Sequence, residues 1–273
     1  MTRTLEGLNA LVTGGGTGIG KGIARRLLEE GARVTIAARR KEMLESAAEE
    51  LTAAIPGAEI GVAVCDVTKA DEVDRAVEIA TSSGRLDIAV ANSGGGAPPA
   101  HFLDLTESTW RTVLDLNVVG TANTLRSAGR AMRESGGALV AISSEVAIHP
   151  ALGLAPYSAS KAAVDLMVCS AAIELAPLKI RVNAVRPGLT LTDTLENRAR
   201  DGSEEEKAAL DRMLSAIRDE MLIDRFGTPR DIADAVLHLV GPSGAWITGQ
   251  AMTVDGGFSL SKGADLLRDR ASS

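Results

Sequence analysis

Short apolar runs alternate with longer amphipathic stretches along most of this chain, and that rhythm limits the fold more than any single motif. The runs at 9–13, 33–38, 59–65, 86–91, 138–143, 180–186 and 251–254 have strand length and little in/out alternation, as strands covered on both faces do. Between them, 20–30, 41–54, 70–82, 107–134 and 156–176 carry helical patterns. This pitch implies right-handed βαβ units, hence an α/β, Rossmann-like doubly wound parallel sheet of about seven strands with helices on both faces. No repeat or linker interrupts 1–273, so one domain is expected. Only 193–222, a charged helical insertion containing DGSEEEK, breaks the rhythm, and 261–273 form a polar tail.

Directly after the first run comes TGGGTGIGKG, with six glycines between Thr13 and Gly22. A triphosphate-binding loop would need a hydroxyl after Lys21 to hold magnesium, and position 22 is glycine. The strict Gly-x-Gly-x-x-Gly spacing is also missing. What remains is Thr13-Gly14-x-x-x-Gly18-x-Gly20 on a strand-to-helix turn. Without Cβ atoms the backbone there can approach a pyrophosphate, and the free amides of the helix start face the anion.

The other features narrow the class. The formal net charge is −7, with no basic stripe, so nucleic acid is not the expected partner. His101, His149 and His238 lack ligand spacing, so no metal site is expected. Cys65 and Cys169 each lie in an apolar run and are expected to be reduced core residues. No run approaches the ~18 apolar residues of a membrane span, and the first apolar stretch is too short for a secretory signal. A cytoplasmic protein without membrane contact is expected.

Tyr157 is the only tyrosine, and Lys161 follows it by one helical turn in PYSASKAAVDLMVCSAAIELA. That spacing puts both on one helix face. An ammonium beside a phenol favours the phenolate and would draw its pKa down from about 10 toward a range useful for proton transfer. Ser144, at the end of the run ALVAISS, can offer a hydroxyl to the oxygen that Tyr157 protonates or deprotonates.

With these residues in this order, the chain resembles the short-chain dehydrogenase/reductase family in its single-domain form, from Leu8 to about Gly257. The resemblance implies a catalytic Ser144, Tyr157 and Lys161 with Asn117, from LDLNVVG, holding a water that relays protons to Lys161. It implies hydride transfer between a nicotinamide and a carbonyl or alcohol carbon, the protein supplying orientation and the proton. The implied cofactor contacts are Gly14, Gly16, Thr17, Gly18, Ile19 and Gly20 at the turn, Asp66 and Val67 at the adenine, and Asn92 and Gly94 in ANSGG. Tyr157 and Lys161 join them, with Pro187, Gly188, Leu189, Thr190 and Thr192 of RPGLTLT beside the nicotinamide. Ala91 and Ser93 depart from the family's usual Asn-Asn-Ala-Gly letters, which leaves detail of that segment open.

The second strand decides the dinucleotide. NAD-specific sites generally end it with an acid that binds the ribose 2′-hydroxyl. Here Ala38 stands there, followed by Arg39 and Arg40, two guanidiniums suited to a 2′-phosphate. NADP(H) is therefore expected over NAD. The substrate stays open among steroid-like, polyol, sugar and acyl compounds. EVAIHPALGLAPY after Ser144 is mostly aliphatic, and the 193–222 insertion could be an apolar lid or plain packing. Glu145 could touch substrate. The 156–176 helix is apolar nearly all round, so one face should meet a second subunit, giving a dimer or tetramer. The alternatives are a 3-oxoacyl reductase of lipid synthesis, and a non-catalytic NADP-binding sensor or scaffold.

Overall fold

The computed structural model describes residues 3–192 and 203–261. Its strands are β1 (Asn9–Thr13), β2 (Arg33–Ala38), β3 (Ile60–Val64), β4 (Ile88–Ala91), β5 (Gly137–Ile142), β6 (Ile180–Pro187) and β7 (Ala251–Val254). They form one seven-stranded sheet in the order β3-β2-β1-β4-β5-β6-β7, with every pair parallel. The helices are α1 (Gly18–Glu29), α2 (Lys41–Ala54), α3 (Ala70–Ala80), α4 (Glu107–Leu114), α5 (Gly120–Ala131), α6 (Ala155–Leu175), α7 (Glu204–Glu220) and α8 (Pro229–Val240). This is the doubly wound sheet that the alternation implies. The strand order reverses between β1 and β4, which opens a crevice beyond their carboxyl ends where ligands of such sheets bind.

The two faces of the sheet are built differently. One carries branched side chains, Val12, Ile36, Ile88, Val90, Val140 and Ile142, against Ile23 and Leu27 of α1, Leu44 and Leu51 of α2, and Ile232 and Val236 of α8. The other packs against Val73 and Val77 of α3, Leu125 and Ala128 of α5, and Val164 and Val168 of α6. There Ala91, Ala141, Ala184 and Ala251 lie in register across β4, β5, β6 and β7. Alternate residues of each apolar run face opposite layers, as the pleat requires.

Three expectations need correction. The 107–134 helix is interrupted: α4 ends at Leu114, residues Asp115–Val119 form a π turn, and α5 ends at Ala131. In that turn the Gly120 amide reaches back five residues to the Asp115 carbonyl. Cys65 is buried, but Cys169 is exposed on α6. A helix that is apolar all round leaves some of its apolar neighbours outside, so local composition misleads there. Finally, α8 was absent from the helical patterns above. Its start is fixed by a capping box in which Thr228 accepts from the Asp231 amide and Asp231 accepts from the Thr228 amide. Of the 193–222 insertion, 203–222 are described and carry α7; the expected tail lies outside the described residues after Ser261.

Candidate active site

A cavity of about 470 Å³ lies over the carboxyl ends of the central strands. Gly14, Gly16, Thr17, Gly18, Ile19 and Gly20 line its floor, between β1 and the start of α1. Gly14 has φ +67°, and a Cβ at Gly20 would fall on the Gly14 carbonyl. Only glycine permits that crossing, which brings the first turn of α1 across the end of β1 with its amides toward the cavity.

Asn92 fastens this turn to β4. Its side-chain amide donates to the Thr13 carbonyl at 2.8 Å, and its backbone amide donates to the Thr13 hydroxyl at 3.0 Å. Asn92 and Gly94 line the cavity, and a Cβ on Gly94 would come within 2.7 Å of the Asn117 Oδ1 and 3.2 Å of the Lys161 Nζ. The departures at Ala91 and Ser93 thus leave the bracing asparagine in place.

One end of the cavity is open. Ala38, Arg39 and Arg40 line it with Asp66 and Val67, and both arginines are exposed. Burial works against ionisation of Asp66. Hydrogen bonds from the Thr68 amide and hydroxyl to its Oδ1, at 3.0 and 2.9 Å, together with the Arg39 charge, hold its carboxyl below the usual range.

The other end is enclosed. Ser144, Tyr157 and Lys161 line it, with Pro187, Gly188, Leu189 and Thr190 following β6. Thr192 closes back toward the glycine turn, 3.4 Å from where a Gly18 Cβ would stand. Tyr157 and Lys161 share a face of α6, with the ammonium 5.5 Å from the ring centroid. The Lys161 Nζ donates to the Ile142 carbonyl at 2.8 Å. Burial lowers the Lys161 pKa to about 8, while the Asp165 charge pushes it back up. The expected effect of Lys161 on the phenol is not met in this geometry. Burial, first, and the Glu145 charge raise the Tyr157 pKa above its ordinary value, and only a hydrogen bond with Ser144 pulls it down.

Asn117 is the one expected site residue that does not line the cavity. It is fully buried in the π turn behind Gly95. Its Oδ1 accepts from the Gly95 amide at 2.9 Å, and its amide donates to the Gly95 carbonyl at 2.8 Å and to the Ser160 hydroxyl at 3.0 Å. Ser160 donates in turn to the Tyr157 carbonyl at 2.7 Å. Asn117 therefore joins the Gly94–Gly95 segment to α6 through Ser160. Sequence reasoning missed Ser160, Ser143, whose hydroxyl donates to the Lys161 carbonyl, and the Ile142 carbonyl. Ser143 and Ser160 sit next to Ser144 and Lys161, and that adjacency was the only signal.

This arrangement can place a phenol, a hydroxyl and an ammonium around one oxygen, beside a groove fit for an extended phosphate-containing ligand. Known proteins are similar to the chain that carries it. The family profile described as enoyl-(acyl carrier protein) reductase matches residues 14–259. Human dehydrogenase/reductase SDR family member 4 is 34% identical over 250 residues, 91% of this chain and 86% of that protein. The 7alpha-hydroxysteroid dehydrogenase of Escherichia coli (strain K12) is 32% identical over 259 residues, covering 93% and 94% of the two chains. Among solved structures, a short-chain type dehydrogenase/reductase from Mycobacterium ulcerans superposes with a TM-score of 0.86 at 35% identity, over 94% of this chain and 91% of that one. A 7 alpha-hydroxysteroid dehydrogenase complexed with NADH and 7-oxo glycochenodeoxycholic acid gives 0.84 at 31%, over 94% and 97%. With its parallel sheet, glycine turn and Tyr-x-x-x-Lys helix, the chain belongs to the short-chain dehydrogenase/reductase family, oxidoreductases that use a nicotinamide dinucleotide on alcohol and carbonyl groups.

Proposed function

We propose that this chain, acting as one domain, is an NADP(H)-preferring reductase of ketones and dehydrogenase of the matching secondary alcohols. The observation that carries this reading is one continuous cavity with Arg39 and Arg40 at its open end and Ser144, Tyr157 and Lys161 at its enclosed end. The donor set fits the dinucleotide: Cβ-free backbone at the glycine turn for the pyrophosphate, Asp66 for the adenine amino group, and two guanidiniums for a 2′-phosphate. Once bound, the dinucleotide supplies or accepts the hydride.

The chain's own residues handle the proton. Tyr157 protonates the carbonyl oxygen or deprotonates the alcohol, and burial, which raises its pKa, favours the proton-donating direction. Ser144 hydrogen-bonds the same oxygen. Lys161 binds the nicotinamide ribose and takes part in returning the proton to Tyr157. Asn117 anchors the relay on that side through its bonds to Gly95 and Ser160. The segment from Pro187 to Thr192 holds the carboxamide end. One relative is complexed with NADH, so membership of the family does not by itself fix the choice of dinucleotide. In this chain it rests on the cationic pair and the missing acid at position 38.

The relatives' hydroxysteroid activity and the aliphatic stretch after Ser144 favour a bulky apolar ketone. Ile148 and Leu152 on that stretch are exposed, as are Leu222 and Ile223 after α7. Leu166 and Ile173 of α6 are 70% and 77% exposed, which supports a homo-oligomer, a dimer or tetramer; the cytoplasm is the location that goes with this reading. Among the described residues no helix is long and apolar enough to cross a membrane.

The test is a panel of alicyclic ketones, sugars, polyols and a 3-oxoacyl thioester, each offered with NADPH and with NADH, following loss of the reduced cofactor. Faster NADPH oxidation with alicyclic ketones is expected. Turnover of the thioester alone would move the function to lipid synthesis. Binding of NADPH without oxidation by any substrate would make the chain a sensor.

A further inference from the structure

The buried charged side chains among the described residues are Asp87, Lys161 and Asp165. Two of the three stand one helical turn apart on α6. Asp165 accepts from the Arg186 Nε at 2.7 Å through its Oδ2, with both side chains mostly buried. Its Oδ1 is also buried and makes no hydrogen bond. Arg186 lies on β6 directly before Pro187 and Gly188, and its Nη1 donates to the Ala251 carbonyl of β7 at 3.4 Å.

Packing alone does not explain these residues. A buried ion pair costs desolvation, and replacing such a pair by apolar residues is often neutral or stabilising. Val164 and Val168 beside it show that apolar side chains suit this face of α6. What the pair does uniquely is tie the helix carrying Tyr157 and Lys161 to the strand carrying the Pro187–Gly188 turn. It also puts a carboxylate near a buried ammonium.

We propose that Asp165 is a positioning residue for the reaction, holding the Pro187–Gly188 turn against the catalytic helix through Arg186 and serving as countercharge to Lys161. The proposal rests on the reading above that Lys161 serves the chemistry. The charged and titratable groups around Lys161 are few. Tyr157 and Asp165 come from its own helix, Arg186 of β6 acts on Lys161 through its pairing with Asp165, and Glu145 follows Ser144 and acts on Tyr157. The contacts from β5 and the π-turn region, the Ile142 carbonyl and Asn117, are uncharged.

The charge arrangement gives two variants opposite signs. Asp165→Asn leaves Arg186 and Lys161 as two uncompensated cations, so Lys161 should lose its proton at lower pH. Arg186→Gln leaves the carboxylate to Lys161 alone, so the proton should be held to higher pH. The measurement is the pH dependence of the NADPH dissociation constant, by fluorescence, alongside kcat and KM, on full-length variants with native circular dichroism. The alkaline limb should move down by about one pH unit in the first variant and up in the second, the size expected for one nearby charge. If Asp165→Asn fails to fold, the upward shift in Arg186→Gln decides. Losses in kcat or KM with an unmoved limb would mean a structural tie only and would overturn the countercharge role. Lys161→Gln separates the two readings. If it abolishes the limb while neither other variant moves it, only the role of Asp165 falls. If the limb survives in Lys161→Gln, both readings fall.

Discussion

The two ends of the cavity handle charge in opposite ways. At the open end, Arg39 and Arg40 are exposed, and their guanidiniums act through water. At the enclosed end, Lys161 is buried, and its environment brings its pKa to about 8. Exposed cations supply modest, salt-screened affinity and discriminate between ligands that differ by one phosphate. A buried cation supplies little specificity, but its protonation becomes sensitive to every neighbour. On the proposed reading, choice of cofactor and control of the proton are therefore separable, at opposite ends of one groove.

The sharpest way to break that division is at the enclosed end. Tyr157→Phe should lower kcat by roughly 10²–10⁴-fold, the range for a lost general acid, while the NADPH dissociation constant measured by titration stays close to that of the parent. A large loss of affinity instead would merge the two ends. Next comes Arg39→Ala, expected to weaken NADPH about 10–100-fold, as for a lost charge-assisted hydrogen bond, and NADH hardly at all. Equal losses would remove the case for a 2′-phosphate site.

Salt and pH then sharpen the contrast. Raising ionic strength should weaken NADPH more than NADH, since only the former engages the exposed pair. The pH effect has a definite sign. Lys161 is protonated in the folded protein below about 8 and in the unfolded chain up to its ordinary 10.5. Cofactor affinity that depends on the ammonium should therefore fall as pH rises through about 8. Between about 8 and 10.5 the unfolded chain binds more protons, so this group's contribution to stability rises with pH. Binding and denaturation series across that range check both signs. The smallest effect should come from Thr228→Ala, whose side chain does not line the cavity: about 1 kcal/mol of stability lost with the cap, seen as a lower Tm, and kcat unchanged.

The legible features were those governed by short-range rules. Apolar runs, the glycine turn and a four-residue spacing on a helix need no tertiary knowledge, and β1, β2, β7 and α2 fall at the expected residues. The helix α8 was legible in principle, because Thr228, Pro229 and Asp231 spell a helix start. Its apolar residues Ile232, Val236 and Leu239 come soon after the irregular insertion, which breaks the rhythm that would reveal them. The π turn was not legible. Its hydrogen bond from Gly120 to Asp115 is chosen where Asn117 must reach Gly95 and Ser160, and such pairings are set by tertiary packing. The direction of the Tyr157 shift was not legible for the same reason. Spacing puts the ammonium on the right face, but burial and the Glu145 charge, both set by tertiary packing, raise the phenol.

The alanine row across β4 to β7 has a practical consequence for anyone reshaping this enzyme. Methyl groups are the smallest side chains that can pave a sheet, and α5 and α6 pack over this face, α6 against β6 with Tyr157 and Lys161 at its amino end. Enlarging the one on β6 beneath α6, Ala184→Leu, leaves the newcomer nowhere to go but upward, lifting the helix. Libraries aimed at new substrates should freeze those four positions and diversify the loops overhead, because the pavement sets the height at which Tyr157 works.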